Sequence, residues 1–161
     1  MPVFRKTKSG IAVKLDNTDA RLLAGLATQI AGLLAGRDEM PHDPALERLL
    51  PDAYRDNAED AAEFRRFTES ELADEKIRSA LEMAELLTPE APGEGVQLVL
   101  DPSVALDWMR SFTDIRLALA ARLGIVDETS AITVDEESQY TLAVYNWLGQ
   151  LQYWLVRAVD R

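Results

Sequence analysis

The sequence predicts a mainly α fold of the α+β kind: a helical bundle of about four long helices with a small three-stranded sheet, antiparallel or mixed, built from an N-terminal hairpin plus residues 96–100. Three observations lead there. Apolar residues recur at steps of three and four through long stretches, short alternating or β-branched runs occur at only three places, and Asp107 to Ala158 holds all three tryptophans and three of the four tyrosines. With 161 residues, 47% of them hydrophobic, the chain is expected to form one domain, 1–161, whose core needs neither disulfide nor metal.

Pro2 to Lys6 and Ile11 to Leu15 alternate around a Ser9-Gly10 turn and predict the hairpin. Asp16, Asn17 and Thr18 offer N-caps for a helix whose Leu22, Leu23, Leu26, Ile30, Leu33 and Leu34 run to Gly36. From Arg37 to Pro51 acids and prolines interrupt the pattern, with one helical turn expected at ALERLL because Asp43 can cap it and Pro44 fits the first helical position. Asn57 and Asp60 open the next helix, with Phe64 and Phe67 on one face. Its Thr68-Glu-Ser-Glu71 reads as a capping box that breaks or bends it, before Leu72, Ile77, Leu81, Ala84 and Leu87 continue the stripe.

Val96 to Leu100, too short for a helix and bounded by Gly95 and Asp101-Pro102, is expected as a third strand beside the hairpin, which would be marginal alone. Trp108, Phe112, Ile115, Leu119 and Leu123 then mark one buried stripe of a helix ending at Gly124. Asp127 to Glu137 reads as an exposed acidic linker. In the final helix Tyr140, Val144, Trp147 or Leu148, Leu151 and Leu155 share one face, yet Tyr145, Tyr153, Trp154 and Val156 lie off it. Such a helix is either central to the bundle or presents a second apolar face to a partner, a homodimer mate included.

Chemistry is sparse. The absence of cysteine removes thiol nucleophiles, disulfide switches, iron–sulfur ligation and most structural zinc from these 161 residues. His42, set between Pro41 and Pro44, reads as a solvated loop residue. The acids of DETSAITVDEE lack the alternation and central glycine of a calcium loop, and Gly93-Glu94-Gly95 precedes a strand instead of joining strand to helix, so no metal, cofactor or nucleotide site is expected. No apolar run approaches the roughly 20 residues of a membrane span, and MPVFRKTKSG has no apolar signal core, which favours a cytoplasmic location.

Formal net charge is −11, yet residues 1–15 carry Arg5, Lys6, Lys8 and Lys14 and no acid. An acidic body repels nucleic-acid phosphates, so direct nucleic-acid binding is not expected; the basic end is either a solvated hairpin or a contact for an acidic partner. Charged and polar groups also sit beside the apolar stripes: Arg65 and Arg66 between Phe64 and Phe67, Asp114 and Arg116 around Ile115, and Gln152 one turn past Leu148. Buried arginines call for carboxylates, so these groups form either bridges between helices or a groove for an acidic peptide. An enzyme built from Asp, Arg and Tyr would instead require Asp114 exposed in a pocket with a displaced pKa.

Three segments, LERLLPDAYRDNAEDAAEFRRFTESEL, WMRSFTDIRLALAARLGI and AVYNWLGQLQYWLVRA, together with the basic hairpin, resemble an actinobacterial AosR-like family (actinomycete oxidative stress regulator), formerly a family of unknown function and often encoded beside the protease adaptor ClpS. The likeness is carried by Leu50, Pro51, Tyr54, Arg55, Arg65, Arg66, Asp114, Arg116 and Trp147. It implies a non-enzymatic transcriptional regulator that contacts a sigma factor or RNA polymerase. An accessory role in ClpS-linked proteolysis is the alternative that gene neighbourhood in the family implies. The redox-responsive cysteine pair proposed for such regulators has no counterpart here. For function, the residues of interest are therefore Arg55, Arg65, Arg66, Asp114, Arg116, Trp147, Gln152 and Trp154.

Overall fold

A computed structural model describes residues 2–51, 60–125 and 135–161, with the side chains of 60–65 left aside. Strands β1 (Phe4–Thr7) and β2 (Gly10–Leu15) form the expected hairpin, and β3 (Val96–Leu100) pairs with β2, giving a fully antiparallel sheet of order β1-β2-β3. The hairpin turns on Gly10, whose φ of +145° is costly for any residue with a Cβ and whose missing side chain leaves room for the Leu100 carbonyl. Phe4, Ile11, Val13, Leu15, Val96 and Leu100 are all buried, so one sheet face lies on the helices. Phe4 sets its ring edge-on to Trp108 at 6.5 Å and Phe112 at 6.4 Å, tying the hairpin to the aromatic stripe of the fourth helix.

Helix α1 (Asn17–Ala35) starts at Asp16, whose carboxylate accepts from the Asp19 N–H at 2.8 Å. A 3₁₀ turn at Arg37–Glu39 leads to α2 (Pro44–Leu49), capped by Asp43 with proline in its first turn as expected. Helix α3 (Asp60–Leu86) corrects two expectations. It runs unbroken through Thr68, because no glycine or proline interrupts it and Thr68-Glu-Ser-Glu71 continues the helical backbone. Its buried face is Ala73, Ala80 and Met83, with Leu87 just past its end; of the expected stripe Ile77, Ala84 and Leu87 pack on or in the core, while Leu72 and Leu81 are exposed, as is Phe67 at 65%. Small residues fit the shift: α1 and α3 pack extensively on each other, and α1 buries Ala20, Ala27 and Ala31 while α3 buries Ala73 and Ala80, where larger side chains would hold the helices apart.

Helix α4 (Pro102–Leu123) buries Trp108, Phe112 and Ile115 as expected and ends at Gly124 in the left-handed conformation, with the Ile125 N–H returning to the Ala120 carbonyl. Residues 127–134 of the expected linker lie outside the described residues; its remainder, Asp135 to Glu137, is the cap and first turn of α5 (Glu136–Asp160). The Asp135 carboxylate accepts from the Ser138 N–H at 2.7 Å, and acids at that end oppose the helix dipole favourably. Helix α5 packs chiefly on α4 and on β1 through Val144, Leu148, Leu151, Leu155 and Ala158. It is not a central helix: Tyr140 at 65%, Tyr153, Trp154 and Val156 are exposed along its outside, so Tyr140 also leaves the predicted stripe.

Candidate interaction surface

Asp114 is the most deeply buried charged side chain among the described residues, 4% exposed, and Lys76 of α3 donates its ammonium to Oδ1. Burial pushes the carboxyl above its ordinary pKa, with the lysine hydrogen bond and charge opposing that shift. The pair closes the floor of an open cleft of about 390 Å³ between α3 and α4, bordered by Leu72, Ser79, Arg110 and Thr113. Asp114 therefore bridges helices as one expectation had it, but to a lysine that periodicity did not single out.

Two residues along α4, Arg116 turns to α5 instead. Its guanidinium carbon lies 4.4 Å from the Tyr145 ring centroid and Nη1 donates to Gln152 Oε1 at 3.4 Å, while Nε is buried without a partner. Gly149 makes room for it, since a Cβ there would stand 3.0 Å from Nη2. Gln152 in turn donates through Nε2 to the Met109 carbonyl at 3.1 Å and to Thr113 Oγ1 at 2.7 Å, so one amide latches α5 onto α4. Trp147 is half-buried against the same core. Asp114 and Arg116 serve different helix interfaces; Asp114 lines a cleft with a raised pKa, as the enzyme reading required, but it is buried and bridged to Lys76 where that reading required it exposed. Arg66 is exposed on α3, Arg55 lies outside the described residues, and of Arg65 only the backbone is described.

A second concavity, about 540 Å³, runs between β1 and the end of α5. Val3 and Trp154, the latter 42% exposed, give it an apolar lining, and Arg5, Lys6, Arg157 and Arg161 surround that lining with positive charge and no acidic side chain. Arg157 Nη1 donates to Tyr153 Oη at 2.9 Å, fixing the tyrosine beside the groove. Trp154 was recognisable as lying off the apolar stripe, and Arg5 and Lys6 as a local excess of charge. That Arg157 and Arg161 join them follows only from the packing of β1 along α5. Among the described residues no cluster of His, Cys, Asp or Glu could hold a metal ion, and no helix is long and apolar enough to cross a membrane.

Fold and surface together define a mainly α protein with a small antiparallel sheet and a basic, aromatic groove on an otherwise acidic body. The chain belongs to the family described as a domain of unknown function, DUF2017, whose model matches residues 1–159. It is 32% identical over 144 residues to the putative oxidative stress regulator AosR of Mycobacterium leprae, covering 81% of this chain and 64% of that protein. It is 31% identical over 156 residues to the oxidative stress regulator AosR of Mycobacterium tuberculosis and of Mycobacterium bovis, covering 88% of this chain and 70% of each relative. The chain thus spans 64% to 70% of the length of these curated relatives. No solved structure matches it.

Proposed function

We propose that residues 1–161 act as one unit, a non-enzymatic regulator of the oxidative stress response that works in the cytoplasm by contact with another protein, and that this contact is with a sigma factor or RNA polymerase. The observation that carries the reading is the uncovered outside of α5, where Tyr153, Trp154 and Val156 stand exposed and Trp154 lines the basic groove. An exposed large aromatic side chain rimmed by charge is a common mark of protein contact. The names of the mycobacterial relatives, oxidative stress regulators, supply the physiological setting. Since these residues include no thiol, the chain in this reading transmits a stress signal and leaves its chemical detection to another component. Affinity capture with the folded chain from peroxide-treated cells is expected to retain a sigma factor or a polymerase subunit. Retention of neither would overturn the transcriptional reading.

A further inference from the structure

We infer that the groove between β1 and the end of α5 binds an extended acidic protein segment carrying an apolar anchor residue, which lies along the free edge of β1. The inference rests on the reading of the chain as a protein-contact regulator and assigns that contact its surface and the chemistry of its partner.

Three independent features converge on this occupant. Charge is the first: Arg5, Lys6, Arg157 and Arg161 line one concavity that holds no Asp or Glu side chain, on a chain whose formal net charge is −11. Complementarity of this kind steers acidic partners and rejects others. The strand edge is the second. The Lys14 N–H bonds the Val3 carbonyl, so in the alternating antiparallel ladder Val3, Arg5 and Thr7 direct their backbone groups toward β2. Phe4 and Lys6 then direct theirs to the outer side, and both residues line the groove. An extended segment would pair with those groups by strand addition while its carboxylates meet the arginines. Trp154 is the third: a large, half-exposed indole beside Val3 gives one apolar side chain of the segment a place to bury.

Nucleic acid fits less well. Phosphate binding gains from a long track of cations, and here four cations are confined to one concavity of an acidic molecule. Tyr153, the neighbouring aromatic, is held by Arg157.

The test uses the whole chain and a fluorescein-labelled peptide of Asp and Glu flanking a Leu-Phe pair, read by anisotropy, with backbone amide NMR to locate it. Saturable binding is expected, weakened by salt, with the Phe4 and Lys6 amides shifting on titration. The double variant Arg5→Glu, Arg157→Glu should weaken it by at least about tenfold, since both reversals fall in one small site. Trp154→Ala should also weaken it while the circular dichroism spectrum and Tm stay at parental values, and Arg78→Glu on α3 should change nothing. The inference is overturned if the charge-reversed variant binds as well as the parent, if a neutral peptide with the same Leu-Phe pair binds equally, or if oligothymidylate binds more tightly. It is also overturned if sedimentation shows a dimer that these substitutions dissolve, because a second copy would then occupy the face. The two readings separate cleanly. Capture of a sigma factor or polymerase by the charge-reversed variant keeps the proposed function and removes this groove. Peptide binding by a parent chain that captures neither keeps the groove and removes the transcriptional reading.

Discussion

Replacing Lys76 with Met keeps the aliphatic stem and removes the only cation bonded to Asp114 among the described residues, leaving a carboxylate that is 4% exposed without that partner. Breaking a buried ion pair by removing one member costs about 3–5 kcal/mol, and the lower end applies because the pair borders an open cleft through which water reaches it. A loss of about 3 kcal/mol corresponds to a fall in Tm of about 6–12 °C for a protein of this size. The sign of the pH dependence follows from the same geometry. Burial already holds the Asp114 carboxyl above its ordinary value, and a group raised on folding contributes stability that is fully present below its unfolded pKa and lost as pH rises through the folded one. Without Lys76 the folded value rises further, so the loss should be small in acid, where the carboxyl is protonated with or without the lysine, and should grow as pH rises toward neutrality. Urea unfolding at several pH values, with the slope unchanged between variants, measures it. Lys76→Met within about 0.5 kcal/mol of the parent at neutral pH, or a larger loss in acid than at neutrality, would refute the reasoning.

Three further outcomes are expected. Asp43→Ala removes both the α2 cap and the paired Arg122 contacts at 3.1 Å, costing about 1–2 kcal/mol. The Arg122 hydrogen bond holds that carboxyl below its ordinary value, so its contribution is present above the unfolded pKa and fades as pH falls through the folded one; thermal melts in acid should converge on the parent. Gly10→Ala forces a Cβ into a +145° backbone and against the Leu100 carbonyl, so it should lose well over about 1 kcal/mol by chemical denaturation. Gln152→Ala removes the amide that joins α5 to the Met109 carbonyl and Thr113 Oγ1 of α4; the Met109 carbonyl keeps the Thr113 hydroxyl as a donor, so the cost should be about 1 kcal/mol, and hydrogen exchange along α5 should speed up before the rest of the molecule.

The fold was readable where local chemistry and burial agree. Asp43-Pro44 and Gly124 mark helix ends through hydrogen bonds that their own side chains or backbone make, and Val96 to Leu100 is confined to a strand by its length and flanking turns. The sequence misled where neighbours decide. Whether Leu72 and Leu81 or Ala73 and Ala80 face inward depends on how α1 packs on α3, and α1 brings its own buried alanines, Ala20, Ala27 and Ala31, from far away in sequence. The apolar girth of α5 was legible but its position was not, because a helix apolar on two sides is equally compatible with the centre of a bundle and with an uncovered face. For the candidate surface, Arg5, Lys6 and Trp154 each stood out alone; their meeting depends on β1 lying along the end of α5. Likewise Lys76 is one lysine on a helix rich in charge until α4 brings Asp114 to it.

Site-directed photocrosslinking in peroxide-treated cells tests protein contact at the groove most directly, with the probe placed at Lys6 or Trp154 and, as control, at Arg78 on the exposed side of α3. The groove positions are predicted to yield an adduct with a sigma factor or an RNA polymerase subunit that the Arg78 position does not give. Equal yields from all three positions, or no transcription-protein adduct from Lys6 and Trp154, would contradict the account.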